Sequence, residues 1–197
     1  MGIGLGGVII SDGGNRAWAS MAFLGGLFHL LNHAVYKSLL FLSSGSIQMS
    51  AGTRDLRRMG GLGEKLPLTR TTCTIASASI AGIPPFSGFW SKLVLVIAAI
   101  QAGFIWLAAI IVFVSVLTLI MYLKVQRYVF LGDLSKELKD IKENRGSMGL
   151  AMVSLACLCV LMGLLLLVPA LKNNILDPAV DVLLSGVSYS ADVIAMP

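Results

Sequence analysis

Charge is scarce in this chain. Only 13% of its 197 residues are Asp, Glu, Lys or Arg while 56% are hydrophobic, and the mean hydropathy is +0.86. A soluble globular domain carries about a quarter of its residues as charges, so that class is excluded and a membrane protein remains. Cysteine is nearly lacking too: Cys73, Cys157 and Cys159 all lie inside apolar stretches. On a helix Cys157 and Cys159 point about 200° apart, so they cannot share a metal and read as packing residues. No basic segment precedes the first apolar run, because the first positive residue is Arg16, and no cleavable signal peptide is expected. The net charge of +5 comes mostly from Lys and Arg gathered in two inter-span loops. That distribution fits anchoring at a membrane surface and gives no stripe for nucleic acid.

What is present is a series of apolar runs. At about 20 residues per crossing the length allows five or six spans and no separate soluble domain, so residues 1–171 are read as a single all-α transmembrane domain. Residues 1–10 are uncharged but too short to cross, and make a partial N-terminal helix. Their glycine pattern, GIGLGG, is no dinucleotide loop, since no strand precedes it and no acidic residue follows at the required distance. Full spans are expected at about 17–49, 69–83, 88–101, 104–130 and 148–171. The run from Thr71 to Ser91 is interrupted by Pro84 and Pro85, flanked by Gly82 and Gly88. Proline lacks an N–H and clashes with the preceding turn, so a discontinuous helix is predicted there. The uncharged stretch 93–123 is broken at Gln101-Ala102-Gly103, because as one helix it exceeds a ~30 Å hydrocarbon core.

Two loops carry the charge. Residues 52–70 hold Arg54, Arg57, Arg58, Lys65 and Arg70, and residues 132–147 alternate Lys or Arg with Asp or Glu, the pattern of a solvated helical connector. Counting 71–83, 88–101 and 104–130 as three crossings puts these loops on opposite faces. The tail, 172–197, has no uncharged run long enough to cross and is expected at the interface or on a partner.

A few ionisable side chains stand inside the apolar runs. His29, His33 and Lys37 recur every four residues, so they share one helix face over about 12 Å of depth. Intramembrane ionisable groups are costly and mark ion paths, and imidazoles exchange protons near neutral pH. A snorkelling lysine beside histidines that bond across helices is the plainer alternative. Lys92 follows the Pro-Pro interruption, where free backbone groups at membrane depth line cavities. Lys124 and Arg127, at a span end beside a charged loop, read as anchors. No ligand set for a metal or cofactor is evident.

The segment Leu27–Leu42, LFHLLNHAVYKSLLFL, resembles the lysine helix in the second half of the antiporter-like subunits of complex I, energy-converting membrane-bound hydrogenases and Mrp-type cation/proton antiporters. RDLRRMGGL at 54–62, LPLT at 66–69 and GIPPFSGFWSK at 82–92 resemble that family's next loop and discontinuous helix. The resemblance implies a second five-helix repeat, with Lys37 a central proton carrier, His29 and His33 its relay, and Lys92 the terminal lysine. It is nearest in wording to the hydrogenase branch. The family's first repeat, with its glutamate and lysine, has no counterpart here. A membrane subunit forming the second half of a proton or Na⁺ channel in a redox-driven complex is therefore implied, in a prokaryotic cytoplasmic membrane and with 132–147 cytoplasmic. The chain itself would have no catalytic site. Partners would be other membrane subunits, one supplying the first repeat, and a peripheral redox module carrying nickel-iron or iron-sulfur centres. The rivals are a non-conducting membrane anchor and one part of a stand-alone multisubunit Na⁺/H⁺ antiporter.

Overall fold

The computed structural model describes residues 1–134, 138, 141–143, 146–165 and 172–194. Regular structure among them is helical throughout: α1 (Gly2–Ser11), α2 (Arg16–Ala51), α3 (Leu62–Lys65), α4 (Pro67–Ala81), α5 (Ser87–Gln101), α6 (Ile105–Phe130), α7 (Ser147–Leu165) and α8 (Asp177–Ile194). A 3₁₀ turn at Leu56–Arg58 and a π turn at Lys172–Leu176 complete the order. The charges at Lys136, Glu137, Lys139, Asp140 and Arg145, and the expected end of the last span at Pro169, fall outside the described residues.

Local signals account for the boundaries. Asn15 caps α2 by accepting the Ala17 N–H at 2.8 Å, and Gly52, at φ +66°, closes it in the left-handed conformation that glycine adopts without steric cost. α4 starts two residues earlier than expected, because Pro67 fits the first turn of a helix, where an N–H has no partner to lose. It stops at Ala81, since Gly82 takes φ +82° and donates to Ala78 O and Ser79 O while Ile83 N donates to Ala78 O. The break at 102–104 lies where it was predicted, with Gly103 at φ +82°.

Helices α6 and α7 are long and apolar enough, by length and composition, to cross a membrane. α2, at 36 residues, is about 54 Å long and exceeds a ~30 Å core by itself. α4 and α5 have 15 residues each, about 22 Å, and neither crosses alone. Three buried clusters show how they combine. At one end Leu5, Ile9, Ala19, Ala22 and Phe23 pack with Ala98 and Ala99 of α5 and Ala108 of α6. At the other end Ile47 packs with Leu62, Leu66, Cys73 of α4, and Val129 and Phe130 of α6. Between them Tyr36 and Leu39 meet Ala76, Met152, Ala156 and Cys159. So α4 begins at the basic-loop end, α5 finishes at the opposite end, and the pair makes one interrupted crossing before α6 returns.

This corrects the side assigned to the charged loops. Both lie at the same end: Gly61 N donates to Leu131 O at 3.1 Å, and Thr69 N donates to Glu143 Oε1 at 2.7 Å. A side chain on Gly60 would meet Asp133 O at 2.8 Å, so the backbones are in close approach. Counting α4 and α5 as two crossings produced the odd number. The tail, expected at an interface or on a partner, contains α8, whose Val180 and Leu184 join the first cluster against α1 and α2.

Candidate functional site

The Pro-Pro interruption forms the floor of the candidate site. Pro84 and Pro85 supply no N–H, and their peptide bond is cis. Close packing holds the segment: a Cβ on Gly88 would collide with Ser79 O, and one on Gly163 of α7 would lie 2.7 Å from Pro85 O and 3.1 Å from Ser87 N. The glycines are what let α5 start against the end of α4 and let α7 cover the join. Gly82 and Gly88, singled out with the two prolines in the sequence, are therefore contact points as well as flanks.

Lys92 lies on the second turn of α5, and its side chain folds back to the break. Its Nζ donates to Ile80 O at 2.7 Å and to Ala81 O at 3.3 Å. These are the last carbonyls of α4, which the helix itself leaves without donors. The half-buried Lys92 borders a cleft of about 400 Å³ between the break and α6, lined also by Gly82, Ile83, Pro84 and Ser115.

His29 reaches the same region from α2. Its Nδ1 lies 3.0 Å from the hydroxyl of Ser91, the residue before Lys92, and that hydroxyl lies 3.2 Å from Gly88 O. Ser91 has one proton; given to Gly88 O, it requires His29 to donate from Nδ1 and leaves Nε2 as the acceptor. One turn along α2, Asn32 is completely buried and donates Nδ2 to Ser87 O at 3.1 Å. Its Oδ1 has no partner among the described residues. Asn32–Ser87 and His29–Ser91 are thus two rungs between antiparallel helices, and they fix the start of α5.

His33 stands 6.0 Å from His29, ring centre to ring centre, and its Nδ1 is 3.2 Å from the Tyr36 hydroxyl. Tyr36 is buried beneath both rings, whereas His33 itself is exposed on the flank of α2. Lys37, a turn further toward the basic loop, is half-buried and lines a separate cleft of about 650 Å³ with Ser44, Cys73, Tyr122 and Arg54. The structure brings His29 together with the Lys92 turn through Ser91. It leaves Lys37 at another level, with no side-chain hydrogen bond among the described residues.

Asn32, Tyr36 and Ser91 did not stand out in the sequence. The available signal was a polar residue inside an uncharged apolar run at the spacing of the buried face, which Asn32 shares with Phe28, Tyr36 and Leu39. Gln126 is a second case. Its Nε2 donates to Ser77 Oγ at 3.3 Å and its Oε1 accepts from Thr74 Oγ1 at 3.3 Å, tying α6 to α4. No group of three or more His, Cys, Asp or Glu that could hold a metal occurs among the described residues.

Residues 3–118, more than half of the chain, match the family described as NADH:quinone oxidoreductase/Mrp antiporter, TM. Over 95% of its length the chain is 33% identical to one of the Na⁺/H⁺ antiporter subunits of Alkalihalophilus pseudofirmus, of which it spans 24%. Among solved structures it is similar to a chain of the Mrp complex from a Dietzia species, with a TM-score of 0.67 and 29% identity, covering 74% of this chain and 35% of that one. It is also similar to a chain of the membrane-bound sulfane sulfur reductase, an archaeal respiratory membrane complex, with a TM-score of 0.70 and 30% identity over 73% of this chain and 24% of that one. The chain spans about a quarter to a third of the length of these relatives.

Proposed function

Because the chain belongs to the NADH:quinone oxidoreductase/Mrp antiporter transmembrane family, we propose that this integral membrane protein forms the second half of a proton or Na⁺ path in a multisubunit complex. In this reading Lys37 and Lys92 load and release protons, and His29 and His33 with bound water connect them. The observation that carries it is the Lys92 turn. A lysine amine at a break within a crossing, held by two helix-end carbonyls and adjoined through Ser91 by an imidazole, is what a transfer point needs. His33 and its Tyr36 contact extend the series of exchangeable groups toward Lys37. Other membrane subunits complete the path, one of them supplying the first repeat, and the connector 132–147 faces the cytoplasm.

A redox module on partner chains, with nickel-iron or iron-sulfur centres as in a hydrogenase-type or complex I-like assembly, is the proposed drive, and similarity to the sulfane sulfur reductase complex supports it. A second reading, exchange driven only by ion gradients, is supported by the similarity to the Na⁺/H⁺ antiporter of Alkalihalophilus. Copurification of an iron-sulfur module separates the two. The path itself is tested by proton movement into inverted vesicles, normalised to assembled complex. Lys37→Met and Lys92→Met are expected to abolish it, and Lys92→Arg to fail as well, since a guanidinium stays charged and cannot cycle. Full activity of Lys92→Arg would remove this residue from the path.

A further inference from the structure

Ala78 O accepts Gly82 N and Ile83 N, and Ser79 O accepts Gly82 N. Ile80 O and Ala81 O receive no backbone donor among the described residues, because the chain turns at Gly82 and the next positions include two prolines. Both carbonyls point at Lys92 Nζ. They stand at the negative end of a helix dipole, and free C-terminal carbonyls of interrupted membrane helices coordinate small cations. Gly88 O lies on the same side: a Cβ on Gly82 would be 3.5 Å from Nζ and 3.7 Å from Gly88 O. The carbonyls border a cleft of about 400 Å³, in which Lys92 is the one charged residue among the described residues that line it.

We infer that the Lys92 ammonium fills a monovalent-cation subsite built from the last two carbonyls of α4, and that by filling it the lysine keeps alkali cations out of the path. The ammonium is well suited, having three donors and no acceptor to repel the carbonyls. It is tethered, so it occupies the carbonyls without being carried through. Lys92 is then a specificity-determining residue: with its charge gone, the two carbonyls and the dipole end face the cleft uncompensated, and a sodium ion with water as remaining ligands replaces the ammonium. The inference rests on the reading of Lys92 as part of an ion path, but it concerns which ions are refused.

The test uses the whole complex in proteoliposomes and measures sodium flux down an imposed gradient beside proton movement, with choline as a cation too large for the subsite. Lys92→Met is expected to raise sodium flux by about tenfold or more, within the usual range for coupling between competing ligands, with no rise for choline. Lys92→Gln is a second neutral variant that keeps an amide donor, and it should show the same gain. Lys92→Arg should remain at the wild-type sodium level, because the guanidinium keeps both charge and donors. Sodium flux at wild-type level in assembled Lys92→Met and Lys92→Gln would overturn the subsite, as would an equal rise in Lys92→Arg or for choline. Loss of proton movement in those neutral variants without sodium gain would overturn the exclusion and leave the path standing, whereas undiminished proton movement would overturn the path reading itself.

Discussion

Gly88 shows how little tolerance the break has at the scale of one residue. A methyl group there would occupy the position of Ser79 O, so Gly88→Ala must push α5 off the end of α4, at a cost of about 1–3 kcal/mol. The assembled complex carrying it should melt earlier than wild type in a thermal scan, and an unchanged midpoint would mean that the two half-helices are not held at this contact. Asn32→Leu keeps the branched heavy-atom skeleton but removes the side-chain donor to Ser87 O that ties α2 to α5, a loss of about 0.5–1.5 kcal/mol. It should lower both thermal stability and proton movement, whereas a change at an exposed neighbour such as Leu31→Ala should leave both near wild type. The ionisable groups were legible in the sequence because each is an exception in an apolar run. Asn32 and Ser91 were not, since a neutral polar residue in a membrane helix is ordinary packing until the register between α2 and α5 is known. That register depends on tertiary contacts that spacing along one helix does not contain.

At the scale of elements, the punctuation was readable and the counting was not. Gly52, Gly82, Gly103 and the prolines stop helices through their own backbone chemistry, so the boundaries of α2, α4, α5 and α6 fell close to expectation. Whether two consecutive apolar helices make two crossings or one depends on how they continue in space, and composition is the same in both cases. The shortness of α4 and α5, about 22 Å each, was the clue. With one interrupted crossing followed by α6, the basic loop and the connector share a face. Single cysteines placed at Arg57 and Lys142, both exposed, in a background without the native cysteines, should react with an impermeant reagent from the same side of sealed vesicles. Labelling from opposite sides would refute the single crossing. α4 also meets opposite charges at its two ends, the Glu143 carboxylate on the N–H of its third residue and the Lys92 amine on its last carbonyls, each arrangement favoured by the helix dipole. Glu143→Gln keeps an acceptor but loses the charge, and should cost about 0.3–1 kcal/mol of complex stability.

For the whole molecule, the distribution of exposed surface is decisive. α6 turns most of its length outward, with Trp106 85% and Ile105 66% exposed, while exposed His33 places a polar group on the flank of α2. Lipid suits the first but not the second, because an imidazole facing hydrocarbon is costly. The chain expressed without partners should therefore aggregate or be degraded, and a monodisperse monomer in detergent by size-exclusion chromatography would contradict the shared-path reading. One contrast governs how the assembled molecule can move. α2 is a single unbroken spar of 36 residues, whereas α4 and α5 form a jointed strut riveted to it by Asn32–Ser87 and His29–Ser91. Any movement of α5 away from α2 has to break both rivets, and the second of them holds the imidazole beside Lys92. Displacement of α5 and the register of His29 are therefore drawn from the same bond, so α5 cannot leave α2 while His29 stays against Ser91.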